Sequence, residues 1–505
     1  MVDKIALDRT LFGVTLPREL EAFLVETNPW WQGRPMRPLP PYKRWLFEPT
    51  LQRLQAGLAP VTVLRGPRQV GKTTLQGHII DHLLHQEQIP PQRLFRVQFD
   101  ELPTLKRLAD PVLSICRWFA DRILGGSFNE WAQRGEPVFL FFDEVQNLAD
   151  WAPQIKALVD HHAVNVLLTG SSALRIESGR DSLAGRISTL ELGPLLLREV
   201  AALRGWGEIP SLLSANGLGA LKEQEFWQQA AKHGRQYREL RDQAMAALSA
   251  RGGYPIAQAR ADRPWEEVSD QLNETVIRRV IQHDLRLGER GRRRDANLLE
   301  ELFRLCCRYA GQAPGPAIFI HELSSALGAN VGSQRVLAYL RFLHETLLIR
   351  LVHPLELRVK RPKGPPKLCL CDHSLRASWL QEVIPLTPED LRRAPHLSDL
   401  AGHIAESLVG YFLASIPGLD VAWFPARGRE PEVDFIITVG EHRIPLEVKF
   451  RRQIDPQRDT LGLRAFIEKT VYNAPFGILV TLTDRVPLTD PRIVPIPLAS
   501  LLLIR

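Results

Sequence analysis

Short apolar runs alternate with amphipathic, helix-like stretches between residue 46 and about residue 200. A run that is apolar at every position is typical of a strand buried on both faces of a sheet. Strands that alternate with helices are typical of an α/β domain built on a parallel sheet. We therefore predict such a domain over residues 46–200, with strands at VTVLRG, LFRVQF, VFLFFDE, NVLLTGS and ISTLEL.

The pattern changes on both sides of this domain. Residues 201–315 are helical and charged, as in EQEFWQQAAKHGRQYRELRDQAMAAL, and are predicted to form a helical lid or insertion. Residues 1–45 end in NPWWQGRPMRPLPPYKRW, whose prolines exclude a regular helix or sheet interior. We expect this arm to pack on the next domain through Trp30 and Trp31, and a contact for a partner is the alternative.

Residues 316–357 have the pattern of a winged helix-turn-helix. In HELSSALGANVGSQRVLAYLRFLHETLLIRLVHPL the first helix, with Leu323, Ala326 and Leu327 facing inward, ends at the GAN turn. A second helix begins near Ser333, and LLIRLVHPL supplies a wing strand. Packing or protein contact is one role for such a module, and DNA contact is the other. The residues that could approach a DNA groove are Ser333, Gln334 and Arg335.

Two further stretches follow. RVKRPKGPPK, residues 358–367, is predicted to be a basic, proline-rich turn or linker, and KLCLCD to be a buried strand. VDFIITVGEHRIPLEVKF, residues 433–450, predicts a hairpin with a two-residue turn at Gly440-Glu441. Its register pairs Val439 with His442 and places eight apolar side chains on one face.

The other face of this hairpin carries charge. The register places Asp434 beside Glu447, with Lys449 next to Glu447. Two carboxylates that close repel each other unless a cation lies between them, and a divalent metal with oxygen ligands is the natural occupant. A solvated face on which Lys449 merely neutralises Glu447 is the alternative.

The composition narrows the class of protein. The 505 residues carry a formal net charge of +7, which permits a nucleic acid or an acidic partner without requiring one. The five cysteines have no metal-like spacing and are expected to be reduced thiols. The first residues do not have the pattern of a signal peptide, and no apolar run reaches the roughly 18 residues of a membrane span. We therefore expect a cytoplasmic protein.

The strongest motif is VTVLRGPRQVGKTTL, residues 61–75, in which an apolar strand runs into a glycine-rich loop and then a helix. Glycines let successive backbone N–H groups converge on a phosphate, and the helix turns its positive end to the same anion. Lys72 would reach the β and γ phosphates, and the Thr73 hydroxyl would ligate Mg²⁺. The predicted nucleotide-binding residues are Gly66, Pro67, Arg68, Gln69, Val70, Gly71, Lys72, Thr73, Thr74 and Ser171.

Acidic side chains follow the third predicted strand, PVFLFFDEV. Ligands bind beyond the carboxyl ends of the strands in open α/β sheets. Asp143 would hold the metal directly or through water, and Glu144 could activate the attacking water. After the next strand, Thr169 or Ser171 could orient the γ-phosphate or the water, and simple capping of the strand end is an equal alternative.

Hydrolysis of a nucleoside triphosphate often needs a cation on the transferring phosphate. The stretch SSALRIESGRDSLAGRISTLELGPL offers Arg175, Arg180 and Arg186. Arg186 directly precedes a predicted strand and is the first candidate for an arginine finger, acting within or between subunits. A surface salt bridge is the alternative for each of the three.

The order of these motifs resembles that of a known family. GPRQVGKTTL, DEVQ, LTGSSAL, LAGRI and LGPLLLREV are similar to a large family of bacterial and archaeal AAA+-type ATPases. Its C-terminal half is a domain of unknown function assigned to the restriction-endonuclease-like fold. The resemblance implies ATP binding, an AAA+-like αβα core with a helical lid, and self-association into a homo-oligomer. The stretch GGYP (252–255) resembles a segment of the family's lid.

Asp434 followed by Glu447-Val448-Lys449 resembles the motif of the PD-(D/E)xK nucleases. The resemblance implies that the acids bind Mg²⁺ and that Lys449 positions or activates the attacking water. Glu406, in the predicted helix LAGHIAESLVGYFL, matches a further acid that such folds bring to the metal. Val433 stands where the nominal motif has proline.

Together these patterns predict an ATP-binding and ATP-hydrolysing AAA+-type ATPase that acts on DNA, with metal-dependent DNA cleavage as an open possibility of the nuclease-like domain. The alternative is an ATP-dependent regulatory or assembly switch with an inert nuclease-like domain and a protein partner. The expected parts are an arm (1–45), a P-loop ATPase core (46–200), a helical lid (201–315), a winged helix (316–357) and a nuclease-like α/β domain (358–505).

Overall fold

The structure is a computed structural model, and it describes residues 15–99, 108–148, 150–170, 183–213, 217–284, 295–356 and 364–505. The described residues fall into two compact units, one within residues 1–66 and 71–192 and the other within residues 67–70 and 193–505. Three residues singled out in the sequence, Ser171, Arg175 and Arg180, lie outside the described residues.

The first unit is built on a sheet of five parallel strands in the order β2-β3-β4-β1-β5. All five strands predicted from apolar runs are confirmed. Phe139 to Phe142 are buried at every position, as expected of a strand covered on both faces. The strands are β1 (Val61–Arg65), β2 (Leu94–Gln98), β3 (Phe139–Asp143), β4 (Asn165–Gly170) and β5 (Ile187–Glu191).

Helices pack on this sheet. The helices of the unit are α1 (Arg18–Thr27), α2 (Phe47–Ala56), α3 (Lys72–His85), α4 (Pro111–Phe119), α5 (Phe128–Gln133) and α6 (Trp151–His161). The apolar faces of α1, α4, α5 and α6 join the strands in one core.

The N-terminal arm is anchored by its two tryptophans. The indole N–H groups of Trp30 and Trp31 both donate to the carbonyl of Leu94, at 3.1 and 2.9 Å. Trp31 also stacks on Phe119, with ring centroids 5.7 Å apart. Each indole combines a large apolar face with one donor, and that donor usually finds a hydrogen-bond partner when the tryptophan is buried. The prediction that Trp30 and Trp31 pack on the following domain is confirmed.

The second unit begins with helices and ends with a mixed sheet. Its helices are α7 (Leu197–Leu203), α8 (Gln224–Gln236), α9 (Arg238–Arg251), α10 (Pro255–Ala259), α11 (Trp265–Leu272), α12 (Ala296–Arg308), α13 (Pro316–Leu327), α14 (Ser333–Glu345), α15 (His373–Leu380), α16 (Pro388–Arg393), α17 (Ser398–Ala414), α18 (Leu461–Ile467) and α19 (Leu498–Leu501). None of the helices in the described part of the chain is long and apolar enough to cross a membrane.

Helices α12, α13 and α14 pack on one another and are followed by a two-stranded antiparallel sheet, β6 (Ile349–Val352) with β7 (Lys367–Leu370). The second predicted helix begins at Ser333 as expected. In the first helix Leu323 is buried and Leu327 is partly buried, but Ala326 is exposed, and Phe319 is buried as well. The inward assignment of Ala326 was wrong: the buried side chains, Phe319 and Leu323, lie in the body of the helix, whereas Ala326 lies in its last turn before Gly328.

Strand β7 confirms that KLCLCD contains a buried strand, and all five cysteines are free and buried. Its first residue is Lys367, which the sequence placed both at the end of the predicted linker and at the start of KLCLCD. Lys367 pairs with Val352 across the antiparallel ladder and is 1% exposed. Lys367 therefore belongs to the buried strand and not to the predicted linker.

The C-terminal sheet has the order β12-β11-β10-β9-β8. Strands β8, β9 and β10 are antiparallel to one another, whereas β10, β11 and β12 are parallel. The predicted hairpin register is confirmed, because His442 pairs with Val439 and Leu446 with Phe435. The strands are β8 (Asp420–Phe424), β9 (Val433–Val439), β10 (His442–Lys449), β11 (Gly477–Thr481) and β12 (Ile493–Pro497).

Helix α17 lies unusually close to this sheet at Gly410. A Cβ atom added there would lie 2.4 Å from the sulfur of Cys369 and 2.7 Å from the ring of Phe435. Only glycine allows this approach. Glu406 lies four residues earlier and therefore on the same face of the helix. The close packing at Gly410 brings the Glu406 carboxylate against β7 and β9.

The ion pair of the buried Arg241 with the partly buried Asp484 supports a prediction about stability. Nη1 and Nη2 of Arg241 donate to the two Asp484 oxygens at 2.8 and 2.9 Å, and the Arg241 side chain is 4% exposed. Removal of one partner of such a pair leaves the charge of the other without compensation. We expect Arg241→Ala to lower the free energy of unfolding by about 3 kcal/mol in urea titrations. Arg238→Ala, which removes an exposed arginine of the same helix, should leave the midpoint near that of the wild type.

The same pair sets a pH dependence. The Arg241 hydrogen bonds lower the pKa of Asp484 below its ordinary value of 3.8, although burial opposes this. Stabilisation by Asp484 is therefore complete above pH 3.8 and is lost as the pH falls through the lowered pKa. The difference in stability between wild type and Asp484→Asn should stay constant near neutral pH and narrow only in acid.

Candidate functional site

The glycine-rich loop joins β1 to α3. Gln69 and Gly71 have left-handed backbones, with φ of 63° and 92°, and Val70 between them is buried. Alternation of handedness along a short loop turns successive N–H groups toward one point, which makes an anion-binding concavity. Helix α3 begins at Lys72 and adds its positive end to the same point.

Polar side chains are ordered beside this loop. The Lys72 ammonium is buried and donates to the Gly66 carbonyl at 2.9 Å. The Thr73 hydroxyl donates to Asp143 Oδ2 at 2.9 Å. Asp143 is 3% exposed and also accepts a short hydrogen bond on Oδ1 from the Thr169 hydroxyl. The structure thus links three separate segments through the Asp143 carboxylate.

The strand order explains why these segments meet. Strand β4 lies between β1 and β3, and its register pairs Thr169 with both Leu64 and Asp143. The carboxyl ends of the three parallel strands therefore lie at one edge of the sheet, where ligands bind in open α/β sheets. Thr169, for which strand-end capping was the alternative to a catalytic role, holds Asp143 in place.

Two features of this edge fit a divalent cation. The Thr73 hydroxyl and the Asp143 carboxylate are hard oxygen donors in direct contact, the type of ligand that Mg²⁺ selects. Asp143 accepts its two side-chain hydrogen bonds from neutral hydroxyls, those of Thr73 and Thr169. Thr73 and Asp143 therefore suit the predicted metal.

Glu144 follows Asp143 in a left-handed backbone conformation, with φ of 54°. Its N–H donates to the Thr169 carbonyl at 2.9 Å, and its carboxylate accepts a short hydrogen bond from the Gln146 side chain. An αL backbone at a residue other than glycine costs free energy and occurs often at functional sites. This backbone conformation and the Gln146 hydrogen bond together orient the Glu144 side chain directly after Asp143.

Arg186 lies at the other end of the sheet. It precedes Ile187, which pairs with Val61 at the start of β1, whereas the phosphate loop follows the end of β1. The length of β1, roughly 16 Å, separates the two and exceeds the reach of an arginine side chain. Arg186 forms an ion pair with Asp160. Action of Arg186 as an arginine finger, within or between subunits, therefore stays a prediction, and its distance from the phosphate loop of its own subunit favours the second.

Sequence reasoning missed one feature of this region. A cavity of about 420 Å³ opens beside Thr73 and Thr74, and its other walls include Trp30, Met36 and Arg37 of the N-terminal arm. The arm was predicted to pack, but not to line a space next to the phosphate loop. Its two anchored tryptophans were the only signal.

The predicted C-terminal site forms a second cluster. Asp434 Oδ2 accepts from the Val448 N–H at 2.8 Å, and Lys449 forms a short ion pair with Glu447. The Asp434 and Glu447 side chains are 12% and 11% exposed, so they do not lie on a solvated face. Glu406 reaches the cluster from α17. The structure brings together all four residues that the resemblance assigned here.

A fifth residue, Lys367, lies within the cluster. Its ammonium contacts Glu406 in a short ion pair and lies 3.3 Å from Asp434 Oδ1 and 3.5 Å from Glu432 Oε1. The Lys367 side chain is 2% exposed. In the described part of the chain, no group of three or more His, Cys, Asp or Glu side chains is placed to hold a metal ion.

Burial and neighbouring charge shift the pKa values in this cluster. Burial, together with the Asp434 charge, raises the pKa of Glu447 to about 8 despite the opposing effect of Lys449. The same causes raise the pKa of Glu406 well above its ordinary range. Burial also disfavours ionised Asp434, but the Lys367 and Lys449 ammonium groups outweigh it and lower the pKa of Asp434. The cluster therefore relieves its like-charge repulsion by protonation and by two lysines.

The Thr169 hydrogen bond gives a prediction about stability. Thr169→Val leaves the buried Asp143 Oδ1 without this donor, and we expect a loss of about 1–3 kcal/mol in urea unfolding. Thr62→Val on the adjacent strand β1 is the matched control. The Thr62 hydroxyl is buried and has no hydrogen-bond partner among the described residues, so its loss should be neutral. Equal midpoints for the two variants would contradict the role given to Thr169.

Two family models match this chain. Residues 59–201 match the model described as an AAA domain, and residues 242–384 match one described as a domain of unknown function (DUF8612). The first match contains the phosphate loop and Asp143. The second ends before Glu406, Asp434 and Glu447, so it does not bear on the predicted nuclease-like site.

Curated relatives match a part of the chain. Uncharacterized proteins of Mycobacterium bovis and Mycobacterium tuberculosis are each 31% identical over 165 residues, which is 31% of this chain and 31% of each relative. An uncharacterized protein of Methanocaldococcus jannaschii is 31% identical over 150 residues, 30% of this chain and 29% of the relative. The alignments thus span less than a third of these relatives' length.

Two solved structures show a weaker likeness. The Walker-type ATPase of Pyrococcus abyssi is 14% identical and has a TM-score of 0.39, with 68% of this chain and 99% of that chain covered. The Orc1 protein of Aeropyrum pernix in complex with DNA is 14% identical with a TM-score of 0.27, over 67% and 96%. At such scores neither likeness adds to the geometry of this chain. The parallel sheet, the phosphate loop and the family match together make residues 59–201 a P-loop domain of the AAA type.

Proposed function

We propose that this protein binds and hydrolyses ATP at the carboxyl edge of the parallel sheet. The observation that carries the proposal is the link from Thr73 through Asp143 to Thr169 beneath the left-handed phosphate loop. These hydrogen bonds connect the end of the phosphate-binding loop to the buried carboxylate of Asp143, which is a suitable ligand for a cation. A nucleoside triphosphate with its magnesium ion supplies both the anion and the cation.

The side chains have distinct parts in this reaction. The loop amides and the Lys72 ammonium hold the β and γ phosphates, which requires Lys72 to turn from the Gly66 carbonyl to the nucleotide. Thr73 and Asp143 would hold Mg²⁺, which when bound neutralises charge on the phosphate oxygens. Glu144 accepts a proton from the attacking water as the bond from the γ-phosphorus to the bridging oxygen breaks.

Completion of this site by Arg186 requires a second subunit. Its position at the opposite end of β1 favours a homo-oligomer in which Arg186 leaves Asp160 and faces the nucleotide of a neighbour. An arginine supplied in this way stabilises charge on the transferring phosphate.

DNA is the proposed partner of the second unit. Helices α12 to α14 with the β6–β7 pair support a winged-helix module. In such a module the start of α14 would read the major groove. Ser333, Gln334 and Arg335 are exposed at that position, and Arg335 forms an ion pair with Asp295 at 3.3 Å. Exposed polar side chains at a helix start are available to base edges and phosphates.

A regulatory or assembly switch with a protein partner is the second candidate function. Lys367 favours it, because a buried lysine in the nuclease-like cluster opposes binding of a catalytic metal there. Metal-dependent DNA cleavage at Asp434, Glu447 and Lys449 is the competing proposal. Plasmid and single-stranded DNA incubated with Mg²⁺ or Mn²⁺, with and without ATP, separates them, since cleavage that Asp434→Ala abolishes would support the nuclease.

The ATP proposal is tested at Lys72. Charge-assisted hydrogen bonds to phosphate contribute about 1.5–3 kcal/mol, so we expect Lys72→Ala to weaken ATP binding about 10- to 100-fold in calorimetry. Lys156→Ala removes an exposed lysine of the same unit and should bind ATP as the wild type does. Absence of ATP or GTP uptake by the folded wild type would refute the proposal.

The DNA proposal is tested at the start of α14. Base-edge contacts by Arg and Gln are worth about 1–3 kcal/mol each, so Gln334→Ala/Arg335→Ala should weaken binding to duplex DNA about tenfold or more. Fluorescence anisotropy at two salt concentrations measures this. Arg308→Ala, an exposed arginine at the end of α12, is the control for loss of charge alone. Equal weakening by Arg308→Ala would refute specific use of α14.

A further inference from the structure

Lys367 occupies a position that the four predicted catalytic residues do not explain. Its ammonium lies against Glu406 of α17 and within 3.5 Å of Asp434 and Glu432. Glu406 is 39 positions away from Lys367 in the sequence and Asp434 is 67 positions away, so these contacts depend on tertiary packing. The ammonium therefore lies between the two carboxylates that would share a metal.

A divalent ion cannot enter this space while Lys367 remains. Mg²⁺ requires oxygen ligands at roughly 2.0–2.1 Å in near-octahedral geometry. An ion held by Glu406 Oε1 and Asp434 Oδ1 would lie where the Lys367 nitrogen now lies, and two cations at that distance repel each other strongly. Binding of the ion requires displacement of the lysine.

Displacement of Lys367 is opposed by its surroundings. The Lys367 side chain is 2% exposed, and its nitrogen lies 5.4 Å from the ring centre of Trp423 and 5.1 Å from that of Phe435. Its backbone is fixed in the β6–β7 ladder opposite Val352. A lysine that moved out would leave several buried carboxylates without their cation, which costs free energy.

The remaining oxygens of the cluster are largely committed as well. Asp434 Oδ2 accepts from the Val448 N–H, and Glu447 contacts Lys449. Glu447 Oε2 has no hydrogen-bond partner among the described residues, but it lies against Gly462, where an added Cβ would be 3.5 Å away. The residues present therefore do not fit the divalent metal that the resemblance implied.

We propose that the Lys367 ammonium takes the place of the divalent metal in the C-terminal domain, which keeps a nuclease-like arrangement of acids as an internal ion cluster without metal. The acids then join β7, β9 and α17 by charge rather than activate water. This inference is independent of ATP binding by the first unit.

Mn²⁺ titration of the full chain, followed by electron paramagnetic resonance without nucleotide, tests the proposal. Wild type and Asp434→Asn should bind the same amount of Mn²⁺. Lys367→Ala should gain one ion per chain that wild type does not bind, and Lys367→Ala/Asp434→Asn should lose it. Lys469→Ala, which removes an exposed lysine paired with Glu430, is the control and should gain no ion.

Three results would overturn the proposal. The first is Mn²⁺ binding by wild type that Asp434→Asn removes, and the second is DNA cleavage by wild type that Asp434→Asn abolishes. The third is a folded Lys367→Ala, by circular dichroism, that gains no ion. Should Lys367→Ala fail to fold, the comparison of wild type with Asp434→Asn decides by itself, because equal Mn²⁺ binding supports the proposal and unequal binding refutes it.

Discussion

Compensation of buried charge is the constraint on which both sites of this protein depend. A carboxylate or ammonium removed from water is stable only beside groups that replace its hydration. Asp143 is compensated by the hydroxyls of Thr73 and Thr169. Asp434 is compensated by an amide and by the ammonium of Lys367. The difference between neutral and charged partners separates a site that can accept a cation from one that already holds a cation.

The first unit converts this constraint into a nucleotide site through its strand order. Parallel strands end at one edge of the sheet, and β4 lies between the strand that leads to the phosphate loop and the strand that carries Asp143. Hydroxyl donors position Asp143 without removing its negative charge, which is what a magnesium–phosphate ligand requires. The same strand order places Arg186 at the end of β1 opposite to the phosphate loop.

Local pattern predicted much of this structure because the signals are short in sequence. Five apolar runs gave five parallel strands, and the alternation around Gly440 gave the correct hairpin register, since a slip of one residue would expose the apolar face. The inward face of α13 was harder to predict. Ala326 and Phe319 both fit a helical period, and the larger side chain was the one buried against its neighbours.

By itself, the sequence determined the phosphate loop, the buried strand ending in Asp143 and the pairing of Asp434 with Glu447, because each follows from neighbours along the chain or across one turn. Only the tertiary structure decided which cation meets each carboxylate. Lys367 reads as the end of a basic linker, yet β7 and the close approach of α17 at Gly410 bury its ammonium against Glu406 and Asp434. Charges act through space over a few ångströms, and a one-dimensional pattern does not record distances between residues 67 positions apart.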